Sequence, residues 1–322
     1  MIVNRRQVIM SMTAVMLNGG VAGEVAWGDE PSASIPSSGR IRLSSSHQVG
    51  FSCFGPPDGT PVLYFHGTPS SRLEAEILVD ACHQTGVFLV AIDRPGMGLS
   101  SYQADHTVAN WPCDVEEVVR YFQGHGVAQR WGVLAYSGGT PFGLSCAQQL
   151  PQSISGLAIL APRTPGAPGV PQGIVDSGMY SVQRRPRLAT LALNVKFRRL
   201  RKRPQRTGSR QLDRFATVDR QFLACHADWF RRTVLEAARC GSTGIVRDIS
   251  LLPWPWNVSL SHIQVPVAIW QGTQDYSAPV ATSEFLASRT PSCEIHLLQH
   301  EGHFTVLETA SPGVLRWLRE NV

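Results

Sequence analysis

No segment of the 322-residue chain approaches the roughly 18 to 20 consecutive apolar residues that a membrane-spanning helix needs, so an integral helical membrane protein is excluded. Charged residues are scarce, at 16%, while hydrophobic ones reach 43%. That balance excludes a disordered chain and implies a sizeable buried core. No fixed period recurs, which excludes solenoids and propellers. The seven cysteines (Cys53, Cys82, Cys113, Cys146, Cys225, Cys240, Cys293) contain no CxxC pair. Their odd number leaves at least one free thiol, and their scatter argues against thiolate metal sites and a disulfide framework. Also missing are a P-loop, a His-Glu-x-x-His motif and a dinucleotide fingerprint, so no metal, nucleotide or flavin cofactor is signalled.

Acidic residues are absent from one stretch. Between Arg184 and Arg206 lie eight Arg and two Lys with no Asp or Glu. The formal net charge is only +5, so the rest of the chain is mildly acidic. A basic stretch without zinc-finger spacing or an aromatic-interleaved sheet motif does not describe a nucleic-acid reader, and no nucleic-acid partner is expected. The favoured reading is the solvated face of a surface helix; attraction of anionic substrates or of a membrane surface is the alternative.

What is present begins with Asn4-Arg-Arg-Gln-Val-Ile9, an apolar run through Leu17 and then small residues. This is the layout of an export signal over residues 1–28, and the Arg pair resembles a twin-arginine signal. An ordinary frayed amphipathic start is the alternative. Residues 29–39, rich in Pro and Ser, read as a linker. With the signal the protein is exported to the periplasm or beyond; without it the protein stays in the cytoplasm.

From residue 40 onward, short apolar runs alternate with amphipathic segments. A hairpin is expected from 40–45 and 48–54, and further strands at Val62–Phe65, Val87–Ile92, Trp131–Ala135, Gly156–Leu160, Val267–Trp270 and Ile295–Leu298. Helices are expected over Ser71–Gln84, Val108–Gln123, Thr140–Gln149, Val280–Ser288 and Gly313–Glu320. Continuous apolar runs between helices predict strands buried on both faces of a largely parallel sheet. Residues 163–262 break the alternation and read as a helical insertion, with Arg214–Ala238 as its best helix. The α/β core is then 40–162 plus 263–322. An insertion that leaves and re-enters at strand ends would roof the crevice where open α/β sheets bind ligands.

The window Trp131-Gly-Val-Leu-Ala-Tyr-Ser-Gly-Gly-Thr-Pro places Ser137 in a sharp turn between an apolar strand and a helix. Such a turn admits only small residues two before and two after the serine, and Ala135 and Gly139 satisfy it, with Ala135 standing where Gly is usual. A serine hydroxyl needs a base to take its proton and a third group to orient the base. Asp275 and His303 each follow a predicted strand end, so Ser, Asp and His occur in that order. His300 competes as base, but Gly302 gives His303 the flexible loop position. The oxyanion donors are assigned to the backbone amides of Gly138, directly after the serine, and of Thr68, in the loop after Val62–Phe65. His66 reads as a structural hydrogen-bonding residue.

His66-Gly-Thr-Pro-Ser-Ser-Arg72, Asp93-Arg-Pro-Gly-Met-Gly-Leu-Ser100, Tyr136-Ser-Gly-Gly-Thr-Pro-Phe142, Gly272-Thr-Gln-Asp275 and Glu301-Gly-His-Phe304 together resemble the α/β-hydrolase superfamily. Within it they resemble the capped serine hydrolases with a His-Gly-Thr-Pro oxyanion loop. The resemblance implies a mostly parallel eight-stranded sheet flanked by helices with an inserted cap, and a structural role for the turn from Asp93 to Ser100. It implies a serine hydrolase cleaving a small or medium carboxylic ester through an acyl-enzyme. Amide or peptide, carbon–carbon or perhydrolase chemistry on the same triad, and a ligand-binding receptor, are the alternatives. Serine at the nucleophile position argues against the dehalogenase and epoxide-opening branches. Phe215, Phe222, Trp229, Phe230, Trp254 and Trp256 suggest a small-molecule substrate with an apolar acyl or aromatic part, or else simply pack the cap onto the core.

Overall fold

Runs of Val, Ile, Leu and Ala ended by Gly, Pro or Asp become strands because β-branched residues suit a pleated surface covered on both sides. The computed structural model describes residues 35–173, 176–202 and 215–322. The expected export signal, the first part of the linker, and Arg203, Arg206 and Arg214 lie outside the described residues. The strands are β1 (Ser38–Arg42), β2 (Gln48–Phe54), β3 (Thr60–Phe65), β4 (Val87–Ile92), β5 (Trp131–Tyr136), β6 (Ile154–Leu160), β7 (Val267–Gly272) and β8 (Cys293–Leu298). They form one eight-stranded sheet in the order β1-β2-β4-β3-β5-β6-β7-β8. β1 and β2 pair antiparallel with their neighbours, and β4 through β8 run parallel. Every residue of β4, β5, β6 and β7 is buried, whereas the edge strand β8 is not. β3, β5, β6, β7 and β8 extend one or two residues past the expected runs, and β1 begins two residues and ends three residues earlier than expected, because ladder pairing and not apolarity alone sets where a strand ends.

Side chains alternate across the sheet with period two. Phe65, Val133 and Ile159 face one core with Trp111, Phe122 and Phe142. Tyr64, Leu134 and Ala158 face the other with Val314, Leu315 and Leu318. In chain order the helices before β6 are α1 (Val79–Thr85), α2 (Trp111–Gly124) and α3 (Thr140–Gln149). A 3-10 segment, Arg72–Leu78, leads into α1. On α2, Val115, Val118, Val119 and Phe122 are buried at i, i+3, i+4 and i+7, the stripe of an amphipathic helix.

Between β6 and β7 the described chain is helical: α4 (Asp176–Arg184), α5 (Pro186–Lys202), α6 (Thr217–Cys225), α7 (Ala227–Ala237) and α8 (Thr243–Leu251). The single helix expected over Arg214–Ala238 is instead two. His226 leaves helical geometry at φ −108, ψ 27, and its ring packs at the bend between Phe222 and Trp229, at 4.4 and 6.3 Å. The hydrophobic spacing runs through this bend, so it gave no sign of it. Helix α8 presses on the turn after β4 backbone to backbone: a Cβ on Gly244 would lie 2.2 Å from the Gly96 carbonyl oxygen. After β7 come α9 (Val280–Ala287), α10 (Thr305–Thr309) and α11 (Ser311–Asn321).

Candidate active site

β5 ends at Tyr136 and α3 begins at Thr140, leaving three residues for a reversal. Ser137 occupies it with φ 49, a left-handed conformation that costs a non-glycine residue of order 1–3 kcal/mol and persists only where its surroundings over-determine it. Gly139 is required by space, since a Cβ there would meet the Phe65 carbonyl oxygen at 2.3 Å. Ala135 is tolerated because Gly143 lies over it; a Cβ on Gly143 would stand only 2.8 Å from that of Ala135. The turn is pinned by the Thr140 hydroxyl, which donates to the Ser137 carbonyl at 2.6 Å.

The loops after β7 and β8 bring Asp275 and His303 to this turn. His303 Nδ1 donates to Asp275 Oδ2 at 2.7 Å, which leaves Nε2 to accept the Ser137 hydroxyl at 2.9 Å. All three side chains are buried. Asp275 is itself oriented: its Oδ1 accepts from the Ser277 and Ala278 amides, both at 2.8 Å, and its Oδ2 from the Gln271 amide group at 3.2 Å. His300, the competing base, is exposed on the turn after β8, with its backbone amide bonded to the Thr273 hydroxyl. The imidazole that meets Ser137 is that of His303.

Thr68 and Gly138 lie against each other. The position a Cβ would take on Gly138 is 3.1 Å from the Thr68 nitrogen and 2.3 Å from Thr68 Oγ1. The Thr68 loop is held by buried charges. Glu74 accepts the Gly67 amide at 2.7 Å and the Tyr64 hydroxyl at 2.8 Å. Arg94 donates to the His66 and Gly67 carbonyls and to Thr68 Oγ1 at 2.5, 3.1 and 2.9 Å. Its Nε bonds Asp248 at 2.7 Å, and the other Asp248 oxygen accepts the Thr68 hydroxyl at 2.5 Å. Burial works to raise the Asp248 carboxyl, but Arg94 and the Thr68 hydrogen bond outweigh it and hold the group below the usual carboxylate range. His66 is structural: Nδ1 donates to the Gly67 carbonyl, and burial together with Arg94 pushes its pKa down to about 3. Asp93 accepts the Arg72 and Leu99 amides and the Arg72 guanidinium, so the segment from Asp93 to Ser100 is a braced turn.

Two carboxylates near this site carried no sequence signal. Asp248 on α8 is one. Asp219 on α6 is the other, accepting the amides of His303, Phe304 and Thr305 at 2.8, 2.7 and 3.3 Å. Burial raises the Asp219 carboxyl, and the nearby His303 acts against that rise. Gly302 leaves the room: a Cβ there would sit 2.5 Å from the Asp219 carboxylate. Trp254 and Trp256 pack on each other, and Trp254 on Phe285 of α9, so these two serve packing. Phe215 and Phe230 instead meet Phe304, next to His303, at 5.3 and 5.6 Å. All seven cysteines are free, and burial pushes the Cys53 and Cys82 thiols up to about 12. Among the described residues no three His, Cys, Asp or Glu side chains gather as a metal-binding group.

The alpha/beta hydrolase fold family matches this sequence over residues 60–310. The chain belongs to that family. Relatives of this alpha/beta hydrolase include the proline iminopeptidases of Neisseria gonorrhoeae and Neisseria meningitidis, 33% identical over 126 residues. That match spans 38% of this chain and 39% of theirs. Among solved structures, a bromoperoxidase from Bacillus anthracis superposes with a TM-score of 0.67 at 18% identity, covering 88% of this chain and 98% of that one. An esterase from Exiguobacterium antarcticum gives 0.63 at 18% identity, over 87% and 98%. At these identities the structural likenesses show a shared fold.

Proposed function

We propose that this alpha/beta hydrolase is a capped serine hydrolase that cleaves a small or medium carboxylic ester through an acyl-enzyme. The observation that carries the reading is the unbroken chain from Ser137 through His303 to Asp275, at 2.9 and 2.7 Å, in the arrangement that activates a hydroxyl nucleophile. Ser137 Oγ attacks the ester carbonyl as its proton passes to His303 Nε2, and Asp275 stabilises the imidazolium. The Gly138 and Thr68 amides stabilise the oxyanion, each worth about 3 kcal/mol in the transition state. Collapse expels the alcohol, which takes the proton from His303. Water then enters, gives a proton to the same nitrogen, and its oxygen forms the second tetrahedral adduct, which collapses to release the acid as Ser137 Oγ takes the proton back from His303. The helical segment between β6 and β7 is the cap, and Phe215, Phe230 and Phe304 give the acyl group an apolar wall.

Turnover of p-nitrophenyl esters of graded acyl length tests the proposal. Ser137→Ala is expected to lose about four to six orders of magnitude in kcat with its circular dichroism unchanged, and a fluorophosphonate probe to label Ser137 alone. Saturable ester binding without product in the unaltered protein would replace the hydrolase with a receptor. The 33% identity to proline iminopeptidases favours one second reading, an aminopeptidase on the same residues. Preference for a prolyl arylamide over every ester in kcat/KM would decide for it.

A further inference from the structure

Helix α5 has two faces, and only one is used by the fold. Phe197 is buried, and Leu193 and Leu200 pack with it against Val234, Ala237 and Ile245. Arg201 reinforces the contact by donating to the Ala238 carbonyl at 2.6 Å. The opposite face carries Leu188, Leu191 and Val195 at 60%, 65% and 39% exposure, three of the seven exposed large hydrophobic side chains in the described residues. At 100° per residue these three fall within an arc of about 60°, forming a single stripe. Eight Arg and Lys residues lie between 184 and 202, with no acidic residue among them. Among the described residues none of the eight is ion-paired. On the helical wheel Arg187 and Arg198 flank the stripe on one side and Arg199 on the other, while Lys202 extends it at the C-terminal end of the helix.

We infer that this face of α5 docks the protein on an anionic lipid bilayer, lying in the plane of the headgroups. An apolar stripe bordered by cations describes a helix that buries its hydrophobic side at the acyl boundary while its charges meet lipid phosphates. No helix among the described residues is long and apolar enough to cross a membrane, so the contact is interfacial. Other occupants fit less well. A second copy placed face to face would oppose like charges, since the patch has no acidic partner of its own. A nucleic acid would satisfy the cations but leave the leucine stripe against phosphate and water. The inference concerns a surface apart from Ser137 and holds whichever bond that site cleaves.

Sedimentation of the full chain with sucrose-loaded vesicles tests it, using phosphatidylglycerol–phosphatidylcholine mixtures against pure phosphatidylcholine. The protein is expected to pellet with the anionic vesicles and to be released by high salt. Leu188→Ser/Leu191→Ser and Arg198→Glu/Arg199→Glu are each expected to weaken binding at least about tenfold, with turnover of a soluble short-chain ester unchanged. Backbone amides of residues 186–202 should gain protection from hydrogen exchange when anionic vesicles are added. Equal binding to neutral vesicles, or binding that both variants retain, would overturn the assignment to α5. So would duplex DNA held as tightly as the anionic vesicles, or a leucine-dependent dimer with no vesicle binding. The parallel ester assay separates failure here from failure of the hydrolase reading.

Discussion

Asp219 serves the His303 loop much as an N-cap residue serves its own helix, but from a different element, taking three successive amides on one carboxylate. Removing it frees the loop that aims the imidazole, and a misplacement of about 1 Å at a reacting group costs roughly a hundredfold in rate. Asp219→Ala is therefore expected to lower kcat on a short ester about a hundredfold with KM little changed, and Asp219→Asn, which still accepts, to recover part of it. Steady-state kinetics beside near-UV circular dichroism check this; a fall in KM-governed binding alone would remove the positioning role. At this scale the sequence spoke where a residue sits in a short loop at a strand end. That Ser137, Asp275 and His303 would meet could be read because each stands in a short loop just past a strand end on the same edge of the sheet. Asp219 and Asp248 could not. Each lies within a helix whose spacing treats it as ordinary polar surface, and the backbone amides that Asp219 binds have no residue type to reveal them.

The loop from His66 to Thr68 is shaped by groups drawn from three other elements: Glu74 from the 3-10 segment, Arg94 from the turn after β4 and Asp248 from α8. Arg94 and Asp248 are both almost fully buried, and they bond through two nitrogens at 2.7 and 2.9 Å. Truncating one partner of a buried pair strands the other charge, at a cost of about 3–5 kcal/mol. Asp248→Ala is expected to lower the urea midpoint accordingly and to reduce kcat through displacement of the Thr68 amide. Arg94→Met/Asp248→Leu should restore much of the stability but not the rate, a split that urea titration and kinetics resolve together. Gly244→Val tests the seat of α8, because its side chain would strike the Gly96 carbonyl; loss of native near-UV signal at lower urea is expected. The strands could be read in advance because burial on both faces leaves continuous apolar runs. The bend at His226 could not, because the apolar positions of α6 and α7 continue one another across it.

Across the molecule, buried titratable groups set the response to acid. Burial, with Arg94 contributing, pushes His66 down to about 3 and His106 to about 4 from an ordinary 6.5. Below pH 6.5 the unfolded chain takes up protons on these rings and the folded chain does not, so stability falls as pH drops, by roughly 2 kcal/mol for each ring at pH 5. The raised carboxyls of Asp93, Asp219 and Glu74 act in the opposite sense, because the folded state protonates them first. Comparison with His106→Phe isolates one ring: between pH 7 and pH 5 the unaltered protein should lose about 2 kcal/mol more than the variant in urea titrations. Equal slopes would show that His106 takes up its proton in the folded state. Aspartates of the helices between β6 and β7 grip both the imidazole loop and the Thr68 loop, so that helical segment is not an exchangeable accessory. Grafting a foreign helical segment in its place to redirect selectivity would cost turnover itself, unless the transplant also supplied carboxylates at the places of Asp219 and Asp248.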